Sequence, residues 1–231
     1  MKRIATLAVL LGMAAAPAGA QTVLTIGANG QVNAAPDEAT ASLTAQMTSP
    51  DAAKAQAQVN AMMSKALEEA RGVSGVVATT GSYDTSQQST DTQPPQTVYQ
   101  ASQTLSLVLP AADGIPPARF TDLVGKLQGQ GLLLNDLGGD LSAKAQQDAQ
   151  QAAVLAAISQ IQAQAAAVAA QLHESVGAVK TLNVNAQAAP GPRPFMGMAM
   201  KAMAVPPPVS APGNITVTAD VTAEVELDAA H

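Results

Sequence analysis

The chain has 231 residues, which is enough for one generous domain or two small ones. Its 11 basic and 17 acidic residues give a net charge of −6 without a cluster of Lys or Arg, which argues against nucleic acid or anionic lipid as a partner. The chain has no Cys and no Trp, so disulfides are excluded, the core must be mainly aliphatic, and an aromatic sugar-binding platform is disfavoured.

The first twenty residues have the pattern of a secretory signal peptide. Lys2 and Arg3 form a positive n-region, residues 4–16 are apolar, and residues 18–20 (A-G-A) match an A-x-A cleavage site. The apolar run is shorter than the ~20 residues of a spanning helix, so cleavage is favoured over a membrane anchor. We expect a periplasmic mature protein without a transmembrane span; secretion and peripheral association with the outer membrane are alternatives.

The mature chain begins with two alternating stretches that predict strands. Residues 23–32 and 38–47 show the period-two pattern of half-buried strands. Gly27 and Gly30 interrupt the first stretch and predict a bulge or tight turn. The Pro-Asp pair at 36–37 predicts that the two strands form a hairpin.

A helix and two further strands are predicted next. Ser49-Pro50-Asp51 predicts a helix start with Ser49 as the N-cap, and Gly72 predicts its end. Strands are predicted over residues 76–83 and 97–110. The polar, Pro-containing residues 84–96 between them predict an exposed loop.

The second half of the chain contains the longest predicted element. After a short helix (116–128) and a strand (132–141), residues 142–177 are mostly Ala and Gln without internal Gly or Pro, which predicts a helix roughly 50 Å long. Ser142 is the predicted N-cap and Gly177 the predicted left-handed stop. Because most side chains are small, this helix should lie close against a flat sheet. Its predicted apolar face is Val154, Leu155, Ile158, Ile161, Ala165, Val168, Leu172 and Val176.

The chain closes with two predicted strands, 179–187 and 214–227, separated by a Pro- and Met-rich connection at 188–212. The order of elements is ββα, ββα, βα, ββ, with most neighbouring strands joined as hairpins. This order predicts the α+β class: a mostly antiparallel sheet covered by helices, including the long Ala/Gln-rich one. Residues 21–231 are expected to form a single domain.

Four segments, spread over essentially the whole mature chain, recur in a known order and spacing. They are Gly27-x-x-Gly30 with Pro36-Asp37-x-Ala39, Tyr99-x-Ala101, the long helix with Gly177-Ala178-Val179, and Gly213-x-Ile215-x-Val217-x-Ala219-x-Val221 with Glu226-Leu227. Together these segments resemble the SIMPL-domain family of bacterial envelope proteins, a domain of unknown function. The resemblance implies an exported α+β protein without an agreed catalytic site, related to ring-forming, channel-like oligomers and to proteins of envelope or oxidative stress defence. In this chain Gln replaces most of the charge that is usual on the family's long helix, and His173 stands at an expected Gly.

Residue patterns for catalysis are weak. His173 has Glu174 and Ser175 beside it, but neighbours on a helix point in different directions and cannot form a nucleophile–base–orienter line. A helix-end His is the better interpretation. The Gly27-Ala28-Asn29-Gly30 run lacks the third Gly and the helix of a nucleotide-binding loop. The carboxylate pairs are interpreted as solvated faces; they are Glu68-Glu69, Glu224-x-Glu226 and Asp136-x-x-x-Asp140.

The most specific cluster is Met196-x-Met198-x-Met200-x-x-Met203. Thioethers are soft ligands that suit Cu(I), and clustered Met can also scavenge oxidants. The alternative is an apolar contact loop, because flexible Met side chains pad partner surfaces and Phe195 lies beside them. We therefore expect an exported, non-enzymatic protein without a cofactor that forms a homo-oligomer and supports envelope integrity or oxidative stress defence; a metal- or small-ligand-binding protein is the alternative.

Overall fold

A computed structural model of the protein describes residues 22–90, 92–188 and 210–229; the predicted signal peptide lies outside them. In these ranges the chain forms seven strands and three helices in the predicted order, so the α+β class is confirmed. A single 3-10 turn, Ala112–Gly114, lies before the second helix. The elements are β1 (Thr22–Ala34), β2 (Glu38–Ser49), α1 (Ala52–Arg71), β3 (Val77–Ser89), β4 (Thr97–Pro110), α2 (Ala118–Gly129), β5 (Leu133–Asp140), α3 (Ala143–Leu172), β6 (Glu174–Ala188) and β7 (Ile215–Ala229).

Within the described ranges the strands form two antiparallel sheets instead of the one expected. Sheet A has the order β1-β7-β6 and sheet B the order β3-β4-β2-β5. β1 pairs with β7 from Thr22↔Leu227 to Ala34↔Ile215, so the predicted β1–β2 hairpin is wrong. Residues 35–37 carry the chain from sheet A into sheet B, because β1 and β2 find their hydrogen bonds in different sheets.

Sheet B has its own core. α1 and α2 cover one face of this sheet, and alternate side chains of β2 and β4 point toward them, as period-two strands require. Phe120 of α2 is fully buried there. The core also contains Leu43, Leu105, Leu107, Leu109, Val59, Met63, Leu123, Val124, Leu127 and Leu137.

α3 packs on sheet A, as its small side chains predict, but through a different face. The buried positions recur at every fourth residue, and all but Ile161 are Ala, which brings the helix backbone close to the strands. Leu155 and Leu172, predicted to be buried, are 56% and 52% exposed. Val154 and Ile158 pack at the margin of this contact. The buried residues are Ala149, Ala153, Ala157, Ile161, Ala165 and Ala169.

The helix ends differ in part from prediction. Ser142 caps α3 as expected, and its Oγ accepts the N–H of Ala145 at 3.2 Å. The predicted stop at Gly177 is wrong: His173 adopts the left-handed conformation (φ 58°) and ends α3, and Gly177 lies within β6. The left-handed backbone of His173 thus ends the helix four residues before the predicted Gly.

α1 shows the same kind of shift at its start. Its N-cap is Asp51, whose Oδ1 accepts the N–H of Ala53 at 2.8 Å, so the predicted N-cap Ser49 is wrong. Ser49 Oγ instead accepts the N–H of Asp51 at 3.2 Å. The predicted end of α1 at Gly72 is confirmed.

Two strand predictions also need correction. β1 runs without a register shift through Gly27 and Gly30, so the predicted bulge or turn is absent from this described strand. β3 continues to Ser89, where a loop is predicted, because its Ser, Thr and Gln residues pair with β4 as an exposed ribbon. The polar composition of this segment therefore reflects an exposed strand and does not indicate a loop.

α3 is also the one described helix that is long and apolar enough to cross a membrane by length and composition. The expectation of a mature protein without a transmembrane span stays a prediction, because length and composition alone do not test it. The helix packs against the strands of sheet A, and a core helix passes the same measures.

Candidate interaction surface

The chain crosses between the two sheets at one crowded point, here called the junction. A Cβ on Gly114 would lie 2.5 Å from Pro36 Cβ and 2.9 Å from Gly139 Cα, and Gly114 has a φ of +63°. A Cβ on Gly139 would lie 2.8 Å from Pro212 Cβ. Backbone segments from both sheets therefore touch here without room for side chains at the two glycines.

Asp37 connects the segments of the junction by hydrogen bonds. Its N–H donates to the Asp140 carbonyl oxygen at 3.1 Å, and its own carbonyl accepts the N–H of Ala111 at 2.9 Å. Its carboxylate accepts the N–H of Ser142 at 2.6 Å and the Ser142 hydroxyl at 2.7 Å. Because Ser142 caps α3, this one carboxylate orients the start of the helix that covers sheet A.

Two carboxyl groups at the junction have opposite pKa shifts. The hydrogen bonds from the Ser142 hydroxyl and N–H hold the pKa of Asp37 below its ordinary value of 3.8. Burial, and then the neighbouring charges of Asp37 and Asp140, raise the pKa of Glu38 above its ordinary value of 4.5. Asp37 lies in the link between the sheets and Glu38 begins β2, so both groups couple the stability of the junction to pH.

β6, the last strand of sheet A in the described ranges, exposes a row of aliphatic side chains, here called the edge row. Val176, Val179, Leu182 and Val184 are between 45% and 59% exposed. Each lies opposite a buried residue of β7, namely Leu227, Val225, Ala223 and Val221. Since directly opposite residues share a face, the edge row stands on the face that carries α3 but is only partly covered.

The structure does not assemble a catalytic group around His173. His173 is exposed at the end of α3, Glu174 Oε1 accepts a hydrogen bond from Thr22 Oγ1 at 3.0 Å, and the Ser175 hydroxyl donates to the Asp228 carbonyl oxygen at 3.4 Å. These side chains are thus engaged with different neighbours, in agreement with the interpretation of a helix-end His.

The other sequence candidates are also spread over the surface. Gly27 lies in the middle of β1, away from any helix start. Glu224 accepts the Thr181 hydroxyl at 3.2 Å, and Glu226 forms an ion pair with Lys180, a basic partner that the sequence interpretation had missed. In the described ranges no group of three His, Asp or Glu side chains could hold a metal ion.

The Met cluster, Met196, Met198, Met200 and Met203, lies outside the described residues, as does most of the predicted connection at 188–212. The copper hypothesis therefore stays a prediction from the sequence.

A shallow cleft of about 280 Å³ lies where the end of α1 meets α2. Glu69, Arg119, Asp122 and Lys126 contribute charges of both signs to it. The three charged residues of α2 are exposed and three or four positions apart, which is typical of a solvated helix face.

Sequence reasoning missed the edge row as a site. It predicted a strand over residues 179–187, but exposure of that strand depends on its place in the sheet order. The available signal was the absence of charged residues from 181 to 188 in an acidic chain.

The fold defines an α+β protein made of two antiparallel sheets, each with its own helical cover. A family model described as SIMPL, protein of unknown function (DUF541), matches residues 24–225. Because this match spans most of the chain, the protein belongs to the SIMPL family, and the resemblance seen in the sequence is confirmed. A search among curated proteins finds no match.

Proposed function

We propose that this SIMPL protein is an exported, non-enzymatic protein that self-associates and supports the integrity of the bacterial envelope or its defence against oxidative stress. The edge row on β6 carries the proposal, because exposed aliphatic side chains in a row at a sheet edge are a typical surface for association. The signal-peptide pattern of residues 1–20 supports export. The separation of the candidate catalytic residues supports a role other than catalysis.

Self-association is tested by light scattering on the exported protein over a wide range of concentrations. We expect a mass that is a multiple of the monomer mass and that falls on dilution if association is weak. A monomer mass at every concentration would contradict the proposal.

Export is tested separately, by fusing residues 1–30 to a reporter enzyme that is active only outside the cytoplasm. We expect reporter activity, and we expect Lys2→Glu together with Arg3→Glu to reduce it, because the positive n-region orients a signal peptide. Equal activity of both fusions, or none from either, would contradict export by this segment.

The role in the envelope is tested by comparing cells with and without the gene during exposure to peroxide and to detergent. We expect lower survival without the gene under at least one of the two stresses and restoration by the wild-type chain. Identical survival of cells with and without the gene under both stresses would contradict the proposed role in the envelope.

Copper binding is the second candidate function, favoured by the spacing of the four Met residues in the sequence. It is tested by titrating Cu(I) into a peptide of residues 194–205 and into the same peptide with each Met replaced by Leu. Tight binding by the first peptide alone supports it, and only millimolar binding ends it.

A further inference from the structure

β6 is the terminal strand of sheet A, and in the described part of the chain no strand pairs with its outer side. Half of the backbone N–H and C=O groups of such a strand point away from the sheet. They form a ready template for another strand. Natural proteins normally protect such an edge with a bulge, a charge, a Pro or a short strand.

Two other sheet edges in the described ranges carry such features. β3 has a register shift between Thr80 and Tyr83, and such a bulge twists an edge away from pairing. β5 is short, and Pro212 lies against Gly139 near its end. β1 has no such feature, but it offers no aliphatic row: α3 packs on one of its faces, and apart from Val23 its exposed residues are Thr25, Gly27, Asn29, Gln31 and Asn33.

β6 is protected over its first half only. Its register shifts twice between Val176 and Thr181, and Lys180 adds a charge in the same region. From Thr181↔Glu224 to Ala188↔Val217 the pairing with β7 is then continuous. This second stretch, residues 181–188, contains no charged residue and no Pro.

We propose that β6 pairs with β6 of a second copy of the chain, antiparallel about a twofold axis that passes beside Val184 perpendicular to the sheet. The inference rests on the proposed self-association and names its contact. Val184 would lie opposite Val184 of the second copy, Leu182 opposite Ala186, and Asn183 opposite Asn185. The two copies of sheet A become one six-stranded sheet with both α3 helices on the same face.

The distribution of charge along the chain favours a second copy as the partner that pairs with β6. Without Lys2 and Arg3 the chain keeps 17 acidic residues against nine basic ones, so two copies repel over most of their surface. Residues 181–188 carry no charge, and at this edge the copies can meet without placing like charges opposite each other.

The register follows from geometry. A twofold axis perpendicular to a sheet keeps each residue on its own face, so Val184 meets Val184 and Leu182 meets Ala186 on the face that carries α3. An axis at Val184 pairs residues 181–187 entirely within the stretch that has no bulge. An axis nearer Lys180 would include the irregular pairs and bring that charge into the contact.

Cysteine substitution tests the pairing, since the natural chain has no Cys. Directly opposite residues have Cβ atoms about 4.5–5.5 Å apart, which is close to the reach of a disulfide. We expect Val184→Cys to form a disulfide-linked dimer under mild oxidation. We also expect Asn183→Cys and Asn185→Cys, mixed while reduced and then oxidised, to form a mixed dimer. Gln31→Cys, exposed on the opposite edge strand β1, is the matched control and should stay unlinked.

A charge on the edge row provides a second measurement. We expect Val184→Lys to lower the mass measured by light scattering, to half where the dimer is the largest species, because like charges would face each other at the axis. Val77→Lys is the matched control, since Val77 is 58% exposed on the edge strand of sheet B, and it should leave the mass unchanged. Circular dichroism melting of both variants checks that each is folded.

The outcomes separate the two proposals. An oligomer that links through Gln31→Cys in place of Val184→Cys, or whose mass is insensitive to Val184→Lys, overturns the β6 pairing and leaves self-association intact. A wild-type monomer at all concentrations overturns both.

Discussion

Gly30 of β1 lies directly beneath Ala153 of α3. A Cβ on Gly30 would be 1.9 Å from the Ala153 carbonyl oxygen and 2.6 Å from the Ala157 nitrogen. The backbone of the helix therefore rests on the backbone of the strand at a position where no side chain fits. This contact, together with the Ala residues of α3, explains how a long helix lies so close to sheet A.

We predict that Gly30→Ala lowers the free energy of unfolding by about 2–4 kcal/mol, because α3 must move away from β1 to admit the methyl group. Urea denaturation of the full chain measures the change. Gly27→Ala is the matched control in the same strand. Its Cβ would meet the Thr222 hydroxyl oxygen at an ordinary 3.8 Å, so its effect should stay within about 0.5 kcal/mol. Equal effects of the two substitutions would contradict the close approach.

Asp37 should contribute to the loss of stability in acid. Its pKa is lowered in the folded chain, so its stabilising contribution is present above the unfolded pKa and is lost as the pH falls through the folded pKa. We expect the free energy of unfolding to decrease below about pH 4 and Asp37→Asn to flatten this decrease. Thermal melting between pH 2 and pH 7 measures the effect.

The control for this pH series is Asp84→Asn, which removes an exposed carboxylate from β3. It should leave the shape of the acid profile as in the wild type. If the two variants give the same profile, the hydrogen bonds of Asp37 to Ser142 have no role in the acid response.

Glu38 should act in the opposite direction. The pKa of Glu38 is raised on folding, so the folded chain favours the protonated carboxyl group. The stability contributed by this protonated form is fully present below the unfolded pKa and is lost as the pH rises through the folded pKa. Glu38→Gln removes the cost of the half-buried charge, and we expect a higher melting temperature at pH 7 that converges toward the wild-type value below about pH 4. Glu68→Gln, on the exposed side of α1, should change neither value. A lower melting temperature for Glu38→Gln at pH 7 would refute the assignment.

The left-handed conformation of His173 predicts a stabilising substitution. This backbone conformation is unfavourable for residues with a Cβ, and Gly adopts it freely at the end of a helix. We expect His173→Gly to raise the free energy of unfolding by about 0.5–1 kcal/mol. His173→Ala keeps the Cβ and should give no such gain. Urea denaturation of both variants makes the comparison, and a loss of stability in the Gly variant would run against the expectation.

Particular elements show where sequence reasoning succeeds. β4 is predicted with its observed bounds, because its alternation is long and the residues of one face from Ala101 to Leu109 are buried except Gln103. The end of α1 at Gly72 and the cap of α3 at Ser142 are also predicted, since both depend on local backbone hydrogen bonds. The family is indicated by the order of short motifs along the chain.

The N-cap of α1 and the C-terminal end of α3 are local errors, whereas the larger errors come from long-range contacts. The buried face of α3 consists mostly of Ala, whereas the prediction followed the larger aliphatic residues. This Ala face turns toward sheet A because the helix backbone approaches Gly30. The polar residues of β3 are extended because β4 is available as a partner. The edge row could not be identified from β6 alone, since exposure depends on β6 being last in the order of sheet A.

The sequence by itself thus determines the α+β class, the order of strands and helices, and most of their approximate ends. These features depend on hydrogen bonding and side-chain periodicity, which act over a few neighbouring positions. The division into two sheets, the packing of α3 on Gly30, and the place of β6 at the edge of sheet A among the described strands arise from contacts between residues far apart in the chain. Such pairings compete with one another for the same hydrogen bonds, and the competition is resolved only when all strands are in place.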